Sequence, residues 1–151
     1  NRAQFSSILQ EIALVDLLTK LNEDRENIGL LNSVAAFYNI KKEYKKSLGY
    51  SFQVLEREPL NKQALKNIVF GYRGRGDPGN VLEYGNRYSM VDPDNINIQY
   101  VFGEMFAKTL RCEKAIPYLQ QVLKKDDTYR NTESLLKECL SRQVGEGITA
   151  G

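Results

Sequence analysis

Two stretches decide how this chain folds: "LEREPLN" at residues 55–61 and "YSMVDPDN" at residues 88–95. In each, a run with helical apolar spacing meets a proline, and two residues later an asparagine follows: Pro59 with Asn61, Pro93 with Asn95. The positions of the two prolines differ by 34. Proline lacks the N–H that a helix interior needs and clashes with the carbonyl one turn back, so it ends a helix. Asparagine beyond it caps the next one. The same helix-end signal at a fixed spacing is a repeat. A further step of the same length leads to Asp127 in "LKKDDTY", where the helix-end character persists without the proline. Three segments result: 28–61, 62–95 and 96–129.

Each segment contains two helical patterns. Leu31, Val34, Ala35 and Tyr38 fall on one face of the first, and Leu48, Ser51 or Phe52, and Leu55 on one face of the second. The next segment places Leu65, Ile68, Val69 and Tyr72 at the same offsets. The third places Gln99, Phe102, Gly103 and Phe106 there, followed by Ala115, Leu119 and Val122.

With this period, an aromatic near the end of each first helix (Tyr38, Tyr72, Phe106) and the closing Pro59 and Pro93, the chain resembles a tetratricopeptide-repeat protein. The resemblance implies an all-α fold, a right-handed superhelical stack of antiparallel helix pairs. Small residues are expected where paired helices cross, here Ala35 with Ser47 and Gly103 with Ala115. The middle repeat has Val69 and Val81 at that point, which implies a wider crossing with room near Gly85. Residues 1–143 are expected to form a single domain. A partial repeat occupies 5–27, with a helix over 5–22 carrying Ile8, Ile12, Val15 and Leu18 on one stripe. A capping helix over 131–142 turns Leu135, Leu136, Cys139 and Leu140 inward. The Gly-rich segment 144–151 is expected to be a flexible tail.

Composition excludes several function classes. Of 151 residues, 42% are hydrophobic and 26% charged, which is globular rather than disordered. Lys and Arg number 21 against 19 Asp and Glu, and that +2 balance gives no field for nucleic acid. The nine Tyr and six Phe fall mostly at core offsets, not on a base-stacking surface. No apolar run approaches the ~18 residues needed to span a bilayer, so direct membrane insertion is not expected. The absence of histidine removes Ser-His-Asp, Cys-His and His-ligated metal chemistry. "DPDN" (92–95) and "KKDD" (124–127) lack the 12-residue loop and closing Glu of a calcium site. No carboxylate pair stands out for acid–base work. The expectation is a non-enzyme without cofactor or metal. Cys112 and Cys139 sit in no CxxC pattern and are expected to be two free thiols, one buried, with a structural disulfide as the alternative. The chain opens without Met or a leader pattern and is taken as an excised segment. Its compartment stays open, with the cytoplasm favoured for a soluble chain.

"GYRGRGDPGN" (71–80) contains an Arg-Gly-Asp triplet. Turn chemistry accounts for the whole stretch: Gly74 and Gly76 supply positive φ, Asp77 is an N-cap, and Pro78 is the first helical residue. An adhesion motif accounts for only three of its residues. "KKEYKK" (41–46) is expected to be a solvated turn with Tyr44 packed inward.

The resemblance places function on a concave face lined by the first helix of each pair, where a peptide or helix of a partner protein binds. Helical spacing puts Asn32 and Asn39 there from the first repeat, Gln63, Lys66, Phe70 and Arg73 from the second, and Asn97, Tyr100, Glu104 and Lys108 from the third. Phe70 and Tyr100 are expected to be exposed aromatic anchors, and Lys66 and Arg73 suit an acidic partner. Some relatives hold a chaperone's C-terminal carboxylate with Lys, Asn and Arg. Asn67 lies at one suitable offset, but Asn32 and Ala36 occupy those of the Lys-then-Asn pair, so that clamp is incomplete. Two alternatives stand beside the adaptor: a self-associating scaffold forming a homo-oligomer, and a regulatory segment of a larger enzyme.

Overall fold

The computed structural model describes residues 1–149, which form eight α-helices: α1 (Arg2–Glu23), α2 (Ile28–Ile40), α3 (Tyr44–Arg57), α4 (Lys62–Arg75), α5 (Pro78–Val91), α6 (Ile96–Lys108), α7 (Cys112–Lys125) and α8 (Thr132–Thr149). The period governs their boundaries. α2, α4 and α6 begin one period apart, and so do α3, α5 and α7. Asn27, Asn61 and Asn95 explain the first series. Their side-chain oxygens accept from the backbone N–H of Leu30 (3.0 Å), Ala64 (2.9 Å) and Ile98 (3.2 Å), which satisfies one otherwise orphaned donor at each helix start. A second tie recurs two periods apart. Arg57 donates to the carbonyl of Glu26, and Lys125 to that of Asp94 at 2.5 Å. Successive helices pack as antiparallel pairs.

The chain forms two compact units, Asn1–Arg87 and Tyr88–Gly151, with the boundary inside α5. In the first, Leu14 and Leu21 of α1 pack with Leu31, Val34 and Tyr38 of α2, Val54 of α3 and Ala64 of α4. In the second, Ile98, Val101, Phe102 and Phe106 of α6 are buried with Ala115, Leu119 and Val122 of α7 and Leu135 of α8.

The small residues sit where the repeat register puts them. Ala35, Ser47 and Ala115 are fully buried. The hydroxyls of Ser47 and Ser51 make no hydrogen bond, so these positions use the size of serine and not its polarity. A Cβ on Gly103 would lie 2.6 Å from Leu119 Cδ2 and 2.9 Å from its Cγ, which marks a close helix approach. Val69 and Val81 are also buried.

The Arg-Gly-Asp triplet is the α4–α5 turn. Arg75 ends α4, and Gly76 takes a left-handed conformation at φ 69°. Asp77 Oδ1 then accepts from the Asn80 N–H (3.2 Å), and its Oδ2 from the Asn80 amide (2.7 Å). Those two bonds hold the Asp77 carboxyl below its ordinary pKa. A depressed folded-state pKa stabilises above the unfolded value, near 4, and that contribution is lost as pH falls through the folded value. Asp77→Ala is therefore expected to lower the melting midpoint by about 2–4 °C at neutral pH, with the difference from wild type closing below about pH 4. Paired thermal scans across that range check both. Gly74 departs from expectation. It lies inside α4 without a positive φ, and its Cβ would fall 2.1 Å from Cζ of Tyr44. Glycine is needed there for the inward-turned Tyr44 ring, not for the turn.

Both ends differ from the sequence reading. On α1, Ile8, Ile12 and Val15 are exposed, and the core side is Leu14 and Leu21. On α8, Leu135 and Cys139 are buried but Leu140 is exposed. α8 also runs past 142 to Thr149, taking in most of the segment expected as a tail; residues 150 and 151 lie outside the described residues. The cysteines are not free thiols. Cys112, at the start of α7, is bonded to Cys139 of α8, with Cα atoms 5.1 Å apart.

Candidate partner-binding face

In the first unit, the facing sides of α2 and α4 are joined by a ladder of carboxamides. Asn32 Nδ2 donates to Asn61 Oδ1 (3.2 Å), and Asn67 Nδ2 donates back to the Asn32 carbonyl (3.1 Å). Asn39 Nδ2 donates to the Asn67 carbonyl (2.9 Å), and Gln63 Nε2 to Asn67 Oδ1 (3.2 Å). An amide carries both donors and an acceptor, so a short run of them can tie one helix backbone to the next without burying charge. Asn32 and Asn39, expected to face a ligand, are thus committed in part to holding α2 against α4. Asn67 is occupied in the same way, which removes it from any carboxylate clamp. Asn61 and Asn67 complete the ladder and were not among the expected site residues. The recurrence of asparagine at 27, 61 and 95 is the signal that points to part of it.

Beside the ladder on α4 lie Lys66, Phe70 and Arg73, all half-buried, with Gln63 exposed at the start of the helix. Spacings of four, three and seven residues put these three side chains on one face. The arrangement offers two cations around an aromatic, on a helix fixed by the ladder.

The second unit does not present the expected anchor. Tyr100 is only 3% exposed. Its ring meets Tyr129 edge-on at 5.4 Å, and its hydroxyl sits between Glu104 Oε2, 3.0 Å away, and the Asn131 side chain. Arg130 lies over both rings, 5.3 Å from Tyr100 and 5.7 Å from Tyr129. The Tyr129 hydroxyl donates to Asn97. Glu104, also buried, pairs with the exposed Lys108 at 3.6 Å. Asn97, Tyr100 and Glu104 therefore brace α6 against the α7–α8 turn, and Lys108 alone of the four is exposed. Periodicity identifies the face of α6 but cannot see that the turn around Tyr129 covers it.

Among the described residues no group of three acidic or cysteine side chains is placed to hold a metal ion, and no helix is long and apolar enough to cross a membrane. The architecture matches solved structures over most of the chain. A thermophilic TPR protein of Thermus thermophilus superposes with a TM-score of 0.70 at 19% identity, covering 93% of this chain and 78% of that one. MamA from Desulfovibrio magneticus RS-1 gives 0.71 at 16% identity, covering 84% and 71%. A chain of the APC/C hetero-tetramer Cut9–Hcn1 gives 0.77 at 16% identity, covering 92% of this chain and 28% of that one. The chain has the tetratricopeptide-repeat fold. No protein-family model and no curated protein matches it. Tetratricopeptide repeats serve generally as protein–protein interaction modules, and likeness at this identity carries the fold alone.

Proposed function

We propose that the chain is a non-catalytic interaction module whose α4 face receives an acidic segment of a partner protein, with carboxylates on either side of an apolar anchor. The observation that carries this reading is the Lys66–Phe70–Arg73 stripe beside the amide ladder. The two cations supply attraction and orientation, and Phe70 supplies apolar contact area. Gln63 extends the stripe with a neutral donor and acceptor. Because α4 is tied to α2, the face is set before a ligand arrives, which lowers the ordering cost of binding.

The test is fluorescence anisotropy with acidic peptides that carry one apolar residue between carboxylates. Lys66→Glu with Arg73→Glu is expected to weaken binding at least tenfold, mainly through slower association, and to flatten its salt dependence. Phe70→Ala is expected to raise the off-rate about tenfold with little change in salt dependence. Unchanged binding by the charge-reversed protein, with loss of binding after a substitution on α3, would move the site off α4.

A further inference from the structure

α1 has two apolar sides where a surface helix ordinarily has one. Leu14 and Leu21 face α2 and the core, with Leu17 and Leu18 packed against it. On roughly the opposite side of the helix, by a 100° step per residue, lie Phe5, Ile8, Leu9, Ile12 and Val15. These five are 51–65% exposed. Burial of Leu14 and Leu21 sets the rotation of α1, with Glu11 paired to Lys41 on one flank at 2.6 Å, so the second stripe faces away from the first unit's core. Full burial of such side chains removes about 150–200 Å² each, so the stripe leaves roughly 500 Å² of largely apolar surface on one copy. A pair of copies joined through it would bury about 1,000 Å² before the flanks are counted, the lower bound for a specific interface and the range of weak, concentration-dependent ones.

We propose that this stripe is a two-fold interface on which α1 of a second copy of this chain packs antiparallel. Charge sets the direction. Arg2 and Asp16 lie on the same flank of the stripe, at its two ends. In an antiparallel pair centred on residue 10, Phe5 lies opposite Val15 and Ile8 opposite Ile12, and Arg2 of each copy comes within one turn of Asp16 of the other, a carboxylate that also holds Lys20 of its own helix at 2.9 Å. A parallel two-fold pair would put the two Arg2 side chains on opposite flanks of the seam, and likewise the two Asp16, so that neither meets an opposite charge. The antiparallel contact is self-complementary and closes at two copies. It does not involve the α4 face and does not rest on the function proposed there.

Sedimentation equilibrium of the chain from low micromolar to hundreds of micromolar tests this. The mass is expected to rise from 17.3 kDa to twice that and stop. Ile8→Glu is expected to hold the protein at the monomer mass while its helical circular dichroism and melting midpoint at low concentration stay as in wild type. Arg2→Glu is expected to raise the dissociation constant about tenfold, and adding Asp16→Arg to recover most of that loss. A wild-type chain that stays monomeric throughout, a mass that grows beyond two copies, or an Ile8→Glu protein that dimerises like wild type would each overturn the proposal.

Discussion

Protein reduced while unfolded and then refolded with thiols kept free is expected to be less stable than the oxidised form by about 3.5 kcal/mol, the chain-entropy value for a closed loop of this length. The bond spans a sequence separation of 27 and ties the first residue of α7 to the middle of α8. For a chain of this size the melting midpoint should fall by about 7–14 °C. α8 should respond most, because the bond is its covalent tie to α7. Its amide hydrogens should lose exchange protection before those of α6. Cys112→Ala with Cys139→Ala should show the same drop and no further response to reductant. Equal midpoints for oxidised and reduced wild type, with free thiols confirmed by mass, would show that the packing of Leu135 and its neighbours holds α8 without the cross-link.

The other large effect is expected at the α6–α7 crossing. Leu119→Ala removes a fully buried side chain and should cost about 2–5 kcal/mol through lost burial and the cavity left behind. Gly103→Ala combines two opposed effects. The helix gains about 1 kcal/mol in propensity, and the new Cβ meets Leu119 at 2.6 Å. Overpacking in a closed core costs about 1–3 kcal/mol, so the net change should be a loss. Put together, the two substitutions should cost less than their sum by about 1–2 kcal/mol, since the methyl added by the first occupies space that the second vacates. Denaturant titration of the four proteins measures this coupling. Strict additivity would mean that the Gly103–Leu119 approach is looser than described.

The repeat was legible because its signals are local. Pro59, Pro93 and the asparagines beyond them act on the backbone within a turn of their own position, so a fixed spacing survives whatever the core does. The core offsets on α2, α4, α6 and α7 follow from helical periodicity for the same reason. What escaped the sequence depends on residues distant in the chain. Nothing near Cys112 or Cys139 announces the bond, which exists because α8 docks beside the start of α7. Tyr100 has the spacing of an exposed anchor and is covered by Tyr129 from the following turn. On α1 two apolar stripes were available, and sequence could not say which one meets α2. Gly145 and Gly147 suggested a loose tail, yet α8 continues through both.

The amide ladder also makes the order of the repeats matter. Shifted by one period, the positions of Asn32 and Asn39 become Lys66 and Arg73, and that of Asn67 becomes Val101. A gene that duplicated segment 62–95 in place of 28–61 would keep its caps and its period. At the junction, however, it would set an ammonium and a guanidinium where two amides had bonded. Segment 28–61 is built to precede 62–95 and not to follow it. The repeats share a fold without being interchangeable parts, because the positions that one uses to grip its successor carry cations in the next.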